Sequence, residues 1–158
     1  MAADEREAGT IVSDAKITAM IQKKFVEDRD IKVLDISVYC YKGNVYLVGE
    51  YDQAQQKERA VKIAEATEGV KSVKTHLLPK KKDDTCGAVE NLAIRTKLEA
   101  KLVADMDVWS TNIDVKVVQC HVVLLGIVES KEEITRAVAH ARSVAGVRDV
   151  TSYLTSTE

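Results

Sequence analysis

Residues 14–77 align with residues 91–154 without a gap, so the chain is one pattern written twice at an interval of 77 residues. Eighteen of the sixty-four aligned pairs are identical. They include Ile17/Ile94, Asp28/Asp105, Ile36/Ile113, Val45/Val122, Leu47/Leu124, Gly49/Gly126, Arg59/Arg136, Ala64/Ala141, Gly69/Gly146 and Leu77/Leu154. Most are apolar residues or glycines, the types that packing and tight turns dictate. Length alone, 158 residues against a typical domain of about 150, would suggest one domain. The repeat replaces that with two small ones. The expected organisation is a flexible segment over 1–12, a first domain over 13–78, a linker over 79–89 and a second domain over 90–156. The linker assignment rests on Pro79, the charge run Lys80-Lys81-Lys82-Asp83-Asp84 and Gly87.

Each copy reads in the same order. Ile17, Ile21 and Phe25 recur at helical spacing, as do Ile94, Leu98 and Leu102, with Asp14 and Asn91 as expected N-caps. Alternation follows: Ile36, Val38 and Cys40 share a face, then Val45, Leu47 and Gly49. Lys42-Gly43-Asn44 between them signals a hairpin turn. In the second copy Cys120 stands where Gly43 does, so a different turn is expected there. A second helix presents Val61 and Ala64, or Val138 and Ala141, and is expected to end on Gly69 or Gly146 as a C-cap. A last strand carries Val73, Thr75 and Leu77, matched by Val150, Ser152 and Leu154. The predicted fold class is α+β: two tandem α-β-β-α-β domains, each with two helices packed on one face of a three-stranded mixed sheet. Gly49 and Gly126 fall on the helix-facing side, where a missing side chain would admit a helix.

The order and spacing Gly43-Asn44-Val45-Tyr46-Leu47-Val48-Gly49, Arg59-Ala60-Val61 to Ala64, Gly69-Val70 and Val73 resembles a BON domain. The second copy repeats it with Val122, Leu124 and Gly126, Arg136-Ala137-Val138 to Ala141, Gly146-Val147 and Val150. The resemblance spans residues from about 14 to 155. It implies a non-enzymatic protein of the bacterial envelope, periplasmic, associated with phospholipid membranes or envelope components and with stress tolerance. Met1–Gly9 has neither the basic nor the apolar region of a signal peptide, and no N-terminal Cys suits lipidation, so a lipid anchor is not expected.

Other classes find little support. Lys and Arg number 23 against 25 Asp and Glu, which argues against nucleic-acid binding driven by bulk charge. RNA-binding KH modules share the element order, but their GxxG loop does not occur in this chain. His76, His121 and His140 do not recur between copies, and no catalytic grouping, metal site or cofactor is expected. The Asp28/Asp30 and Asp105/Asp107 pairs read as turn residues. With three cysteines a complete disulfide framework is impossible: Cys40 and Cys120 read as small apolar residues and Cys86 as an exposed thiol.

Two surfaces stand out. The sheet face away from the helices carries Tyr39, Tyr41, Tyr46 and Val48 in one copy and Val118, Val123, Leu125 and Tyr153 in the other. Apolar residues there mark a candidate interface, for a protein partner or a homo-oligomer. The other surface is basic. Lys97 and Lys101 on the second copy's first helix and Lys80, Lys81 and Lys82 in the linker are candidate contacts to an anionic phospholipid surface. Trp109, matched by Lys32 in the first copy, is a candidate interfacial anchor.

Overall fold

The computed structural model describes residues 4–31 and 35–158. The chain divides into two compact units, one over Arg6–Lys82 and the other built on Asp83–Glu158. In the first, helix α1 (Ala8–Glu27) precedes β1 (Ile36–Tyr41), β2 (Asn44–Tyr51), α2 (Ala54–Glu65) and β3 (Ser72–Pro79). In the second, α3 (Ala88–Ala104) and a 3-10 turn (Ser110–Asn112) precede β4 (Asp114–Val118), β5 (His121–Val128), α4 (Lys131–Ser143) and β6 (Asp149–Ser156). Each sheet is mixed: its first two strands are antiparallel, its last two parallel, and the middle strand of the chain order is also the middle of the sheet. This is the α+β architecture that the repeat predicts.

The helix-backed cores follow the sequence pattern closely. Ile17, Ile21 and Phe25 from α1 meet Val38, Val45 and Leu47 in the first unit. Ile94, Leu98 and Leu102 from α3 meet Val115, Val122 and Leu124 in the second. The deepest residues of α2 and α4 are Ala60 and Ala64, and Ala137 and Ala141, all fully buried. Val61 and Val138 sit at the margin. Alanine has no side chain to order, so these helices approach their sheets at little entropic cost.

Several expectations are corrected. Helix α1 starts at Ala8, so the stretch from Ala8 to Val12, expected to be flexible, is helical. Pro79 ends β3, while Asp84 binds Arg148 (2.7 and 3.1 Å) and α3 begins at Ala88, so much of the expected linker belongs to a unit. Asp14 and Asn91 are not N-caps; those positions are Glu7 and Gly87. Both side chains instead point out of the helix to the hairpin turn. Asp14 accepts from the backbone N–H groups of Lys42 (2.8 Å) and Gly43 (2.9 Å), and Asn91 accepts from that of Cys120 (2.9 Å).

The two hairpin turns are alike, contrary to expectation. Both join their strands through two residues at positive φ: Lys42 (53°) and Gly43 (81°), Gln119 (50°) and Cys120 (61°). That is the backbone which matches strand twist in a two-residue hairpin. The left-handed Cys120 is held because its Sγ is bonded to Cys86, 34 residues earlier. Cys86 is therefore a buried disulfide partner and not an exposed thiol.

The glycine roles also change. Helix α2 ends at Glu65 and α4 at Ser143; Gly69 and Gly146 serve the β-turns that follow, where Val70 N–H meets Thr67 O and Val147 N–H meets Val144 O. Gly49 and Gly126 make room for backbone and not for a helix. A Cβ on Gly49 would lie 1.9 Å from the Asp35 carbonyl oxygen, and one on Gly126 would lie 2.1 Å from that of Asn112.

Candidate functional site

Helix α3 is amphipathic twice over. Ile94, Leu98 and Leu102, four residues apart, face the core. On the opposite side Val89, Leu92 and Val103 are exposed, and beyond the helix Met106 is 96% and Trp109 43% exposed. Exposed apolar side chains aligned on one helix face are not needed by the core that the other face builds. Lys97 and Lys101, one turn apart between this stripe and the core face, are exposed and make no ion pair among the described residues. Arg95, on the other flank, is tied to Glu99 at 2.8 Å.

The segment carrying Met106 and Trp109 is held from both ends. Val108 and Ile113 are buried in the core and pin the chain on either side of Trp109. The Asp105 carboxylate, at the C-cap of α3, receives Arg136 at 3.0 and 2.9 Å, His140 at 2.7 Å and the Asp107 N–H at 3.0 Å. Hydrogen bonds from Arg136 and then His140 hold that carboxyl well below its ordinary value of 3.8. The first unit carries the matching bond from Arg59 to Asp28. Burial raises the Asp28 pKa, and the Arg59 bond and charge together with the Asp30 and Ile31 backbone N–H groups outweigh it, so the net shift is downward. This carboxylate–guanidinium pair is missing from the sequence expectations. Its signal was present, because Asp28/Asp105 and Arg59/Arg136 are identical pairs of the repeat.

The first unit has a thinner version of the stripe. Val12 and Val26 are exposed at the positions of Val89 and Val103, with Ala15 in place of Leu92. Arg29 stands for Met106, and Lys32, the counterpart of Trp109, lies outside the described residues. The remaining lysine candidates belong to the first unit: Lys80 is 3.6 Å from Asp52, and Lys81 and Lys82 are exposed. They are not brought together with Lys97 and Lys101 on one element.

The residues expected on the outer sheet faces lie there, but Tyr46, Val48, Val118, Val123 and Leu125 are buried, so they do not form the exposed apolar patch that was expected. Tyr39 lies across from Tyr46, Val48 lies between Ser37 and His76, and the Tyr41 and Tyr46 rings are 6.1 Å apart. Val123 lies between Lys116 and Thr151, Leu125 between Asp114 and Tyr153, and Val118 opposite His121. None of these side chains belongs to either helix-backed core. Cys40 is free and buried, and burial, with Asp14 beside it, pushes its thiol up to about 12, so it is an inert packing residue. Among the described residues no group of His, Cys, Asp or Glu could hold a metal ion, and no helix is long and apolar enough to cross a membrane.

Two copies of a helix-backed mixed sheet, one of them with exposed apolar side chains on its first helix, define a tandem α+β module. The chain belongs to the BON domain family, which it matches over residues 13–78 and again over 91–158. It is similar to the osmotically-inducible protein Y of Escherichia coli K12, 35% identical over 146 residues covering 91% of this chain and 73% of that one. It is also similar to the outer membrane lipoprotein DolP of Haemophilus influenzae, 26% identical, covering 95% and 78% of the two chains. The 21 kDa hemolysin of Actinobacillus pleuropneumoniae is 28% identical, with coverage of 93% and 76%.

Proposed function

We propose that this protein is a non-enzymatic tandem BON module of the periplasm that docks on anionic phospholipid surfaces and supports envelope integrity under osmotic stress. The observation that carries the reading is a set of exposed apolar side chains, Val89, Leu92 and Val103 on the outer face of α3 and Met106 and Trp109 just beyond its end, with Lys97 and Lys101 exposed on the same helix. A helix of this kind lies in the headgroup plane, apolar side down. Each lysine near an anionic leaflet adds about 1 kcal/mol. Two lysines and a few apolar side chains therefore give weak, salt-sensitive binding. The Cys86–Cys120 disulfide supports an oxidising compartment. The relatives' names, osmotically inducible and outer membrane lipoprotein, support the envelope and stress parts of the reading.

The test is co-sedimentation with vesicles of phosphatidylglycerol or of phosphatidylcholine. The chain should pellet with the first, and less as salt rises. Lys97→Gln with Lys101→Gln should lower the affinity for anionic vesicles by about thirtyfold, the equivalent of about 2 kcal/mol. No pelleting of the wild-type chain with either lipid refutes the reading.

A further inference from the structure

The first unit has a cleft of about 360 Å³ between the N-terminal turns of α1, the β1–β2 hairpin turn and the turn before β3. Thr10 and Ser13 line it from the helix, Lys42 from the hairpin and Lys71 from the β3 side. Its walls are low where glycines stand: a Cβ on Gly9 would meet nothing within 4 Å. Among the described residues the Lys42 and Lys71 ammonium groups and the Thr10 and Ser13 hydroxyls have no hydrogen-bond or ion-pair partner. The carboxylate that reaches the cleft, Asp14, is already engaged by Arg6 at 2.9 Å and by the Lys42 and Gly43 N–H groups. What remains open to solvent is a set of donors.

The repeat supplies an internal control. The matching cleft in the second unit is lined by Glu90 in place of Ser13 and Cys86 in place of Gly9, while Gln119, the counterpart of Lys42, does not line it. Its one counterpart of Lys71, Arg148, is tied to Asp84 by two bonds and to the Gln119 carbonyl at 3.3 Å. The first cleft thus has two unpaired lysines, while the second has one, Lys97, beside Glu90 and the tied Arg148. The same contrast holds for the units at large. Residues 6–82 carry 15 basic and 11 acidic side chains, net +4, while residues 83–158 carry 8 and 12, net −4.

We infer that the first-unit cleft binds a phosphate group, with Lys42 and Lys71 as its charge partners and Thr10 and Ser13 as hydroxyl donors. Two ammonium groups, two hydroxyls and the positive end of α1 converging on one open space suit a tetrahedral oxyanion. The phosphate comes either from a soluble phosphate ester or from a phospholipid headgroup. This site is separate from the α3 face and does not depend on it.

The experiment is an amide chemical-shift titration of the full chain with inorganic phosphate, against chloride at equal ionic strength. Signals of Thr10, Ser13, Gly69 and Lys71 should move saturably with phosphate in the millimolar range and not with chloride. Lys42→Asn with Lys71→Gln should weaken the effect about tenfold or more, since charge-assisted contacts are lost. Asn suits the positive φ of residue 42, so the turn is kept. Arg148→Gln should leave the titration unchanged. Shifts that chloride reproduces, that survive the double substitution, or that never appear overturn the proposal. A second arm separates the two sources in the Trp109→Ala chain. Residual binding to phosphatidylglycerol vesicles that phosphate competes away assigns a headgroup. Saturable phosphate shifts without residual vesicle binding assign a soluble ester.

Discussion

Removing the Asp14 carboxylate leaves the Lys42 and Gly43 amides without their acceptor, in a turn whose two central residues are both left-handed. Asp14→Ala should therefore destabilise the chain by about 2–4 kcal/mol in urea unfolding, the cost of unpaired buried donors and of a stranded Arg6. Asp14→Asn should recover part of this, because Asn91 at the equivalent place still binds one turn N–H. A second single-residue effect concerns pH. The Asp105 carboxyl is held low by Arg136 and His140, so its contribution to stability is complete above the ordinary value of 3.8 and is lost as pH falls below it. Thermal unfolding across the acid range should show a shallower pH dependence for Asp105→Asn than for wild type. Part of this was readable in advance. Asp14 and Asn91 stood out by position, but a polar residue ahead of an apolar helical run signals an N-cap equally well. Only the three-dimensional approach of the hairpin shows that the side chain reaches across and not along. Asp105 was legible as a turn former, while its partner Arg136 comes from another helix, 31 residues away.

At the scale of elements the hairpins, helices and sheet order were legible because period-2 and period-3.6 patterns each occur twice. The second hairpin's turn was not. Cysteine has no preference for a left-handed backbone, and what holds Cys120 there is a bond to a residue far back in the chain. Reduction, or Cys86→Ala with Cys120→Gly, should cost about 3–4 kcal/mol, as expected for a loop closed over 34 residues. The glycine variant keeps the turn that Gly43 makes in the first unit, so the loss reports the crosslink. Amide exchange should show β4 and β5 losing more protection than β1 and β2. Helix α3 teaches a related lesson. Its core face is evident from the spacing of Ile94, Leu98 and Leu102, whereas the exposed side shared by Val89, Leu92 and Val103 is seen in the structure and is absent from the sequence expectations.

For the whole molecule, duplication has produced two copies of one fold with different surfaces. The first unit is net basic, while the second is net acidic and carries the apolar helix face, the disulfide and Trp109. A net charge of −2 conceals this division, which is why composition said so little about function. The proposed membrane docking rests on exposed side chains of the second unit and not on bulk charge, so it should depend on particular residues. Trp109→Ala with Met106→Ser should abolish most vesicle binding and leave the unfolding midpoint nearly unchanged, since both side chains are exposed. Trp109 is also the chain's single tryptophan, and its emission reports the environment of that one position. The most direct measurement is Trp109 fluorescence as phosphatidylglycerol vesicles are added. The account predicts a blue shift and protection from an aqueous quencher, both reversed by high salt. Emission that stays unshifted and fully quenchable while vesicles are in excess would contradict it.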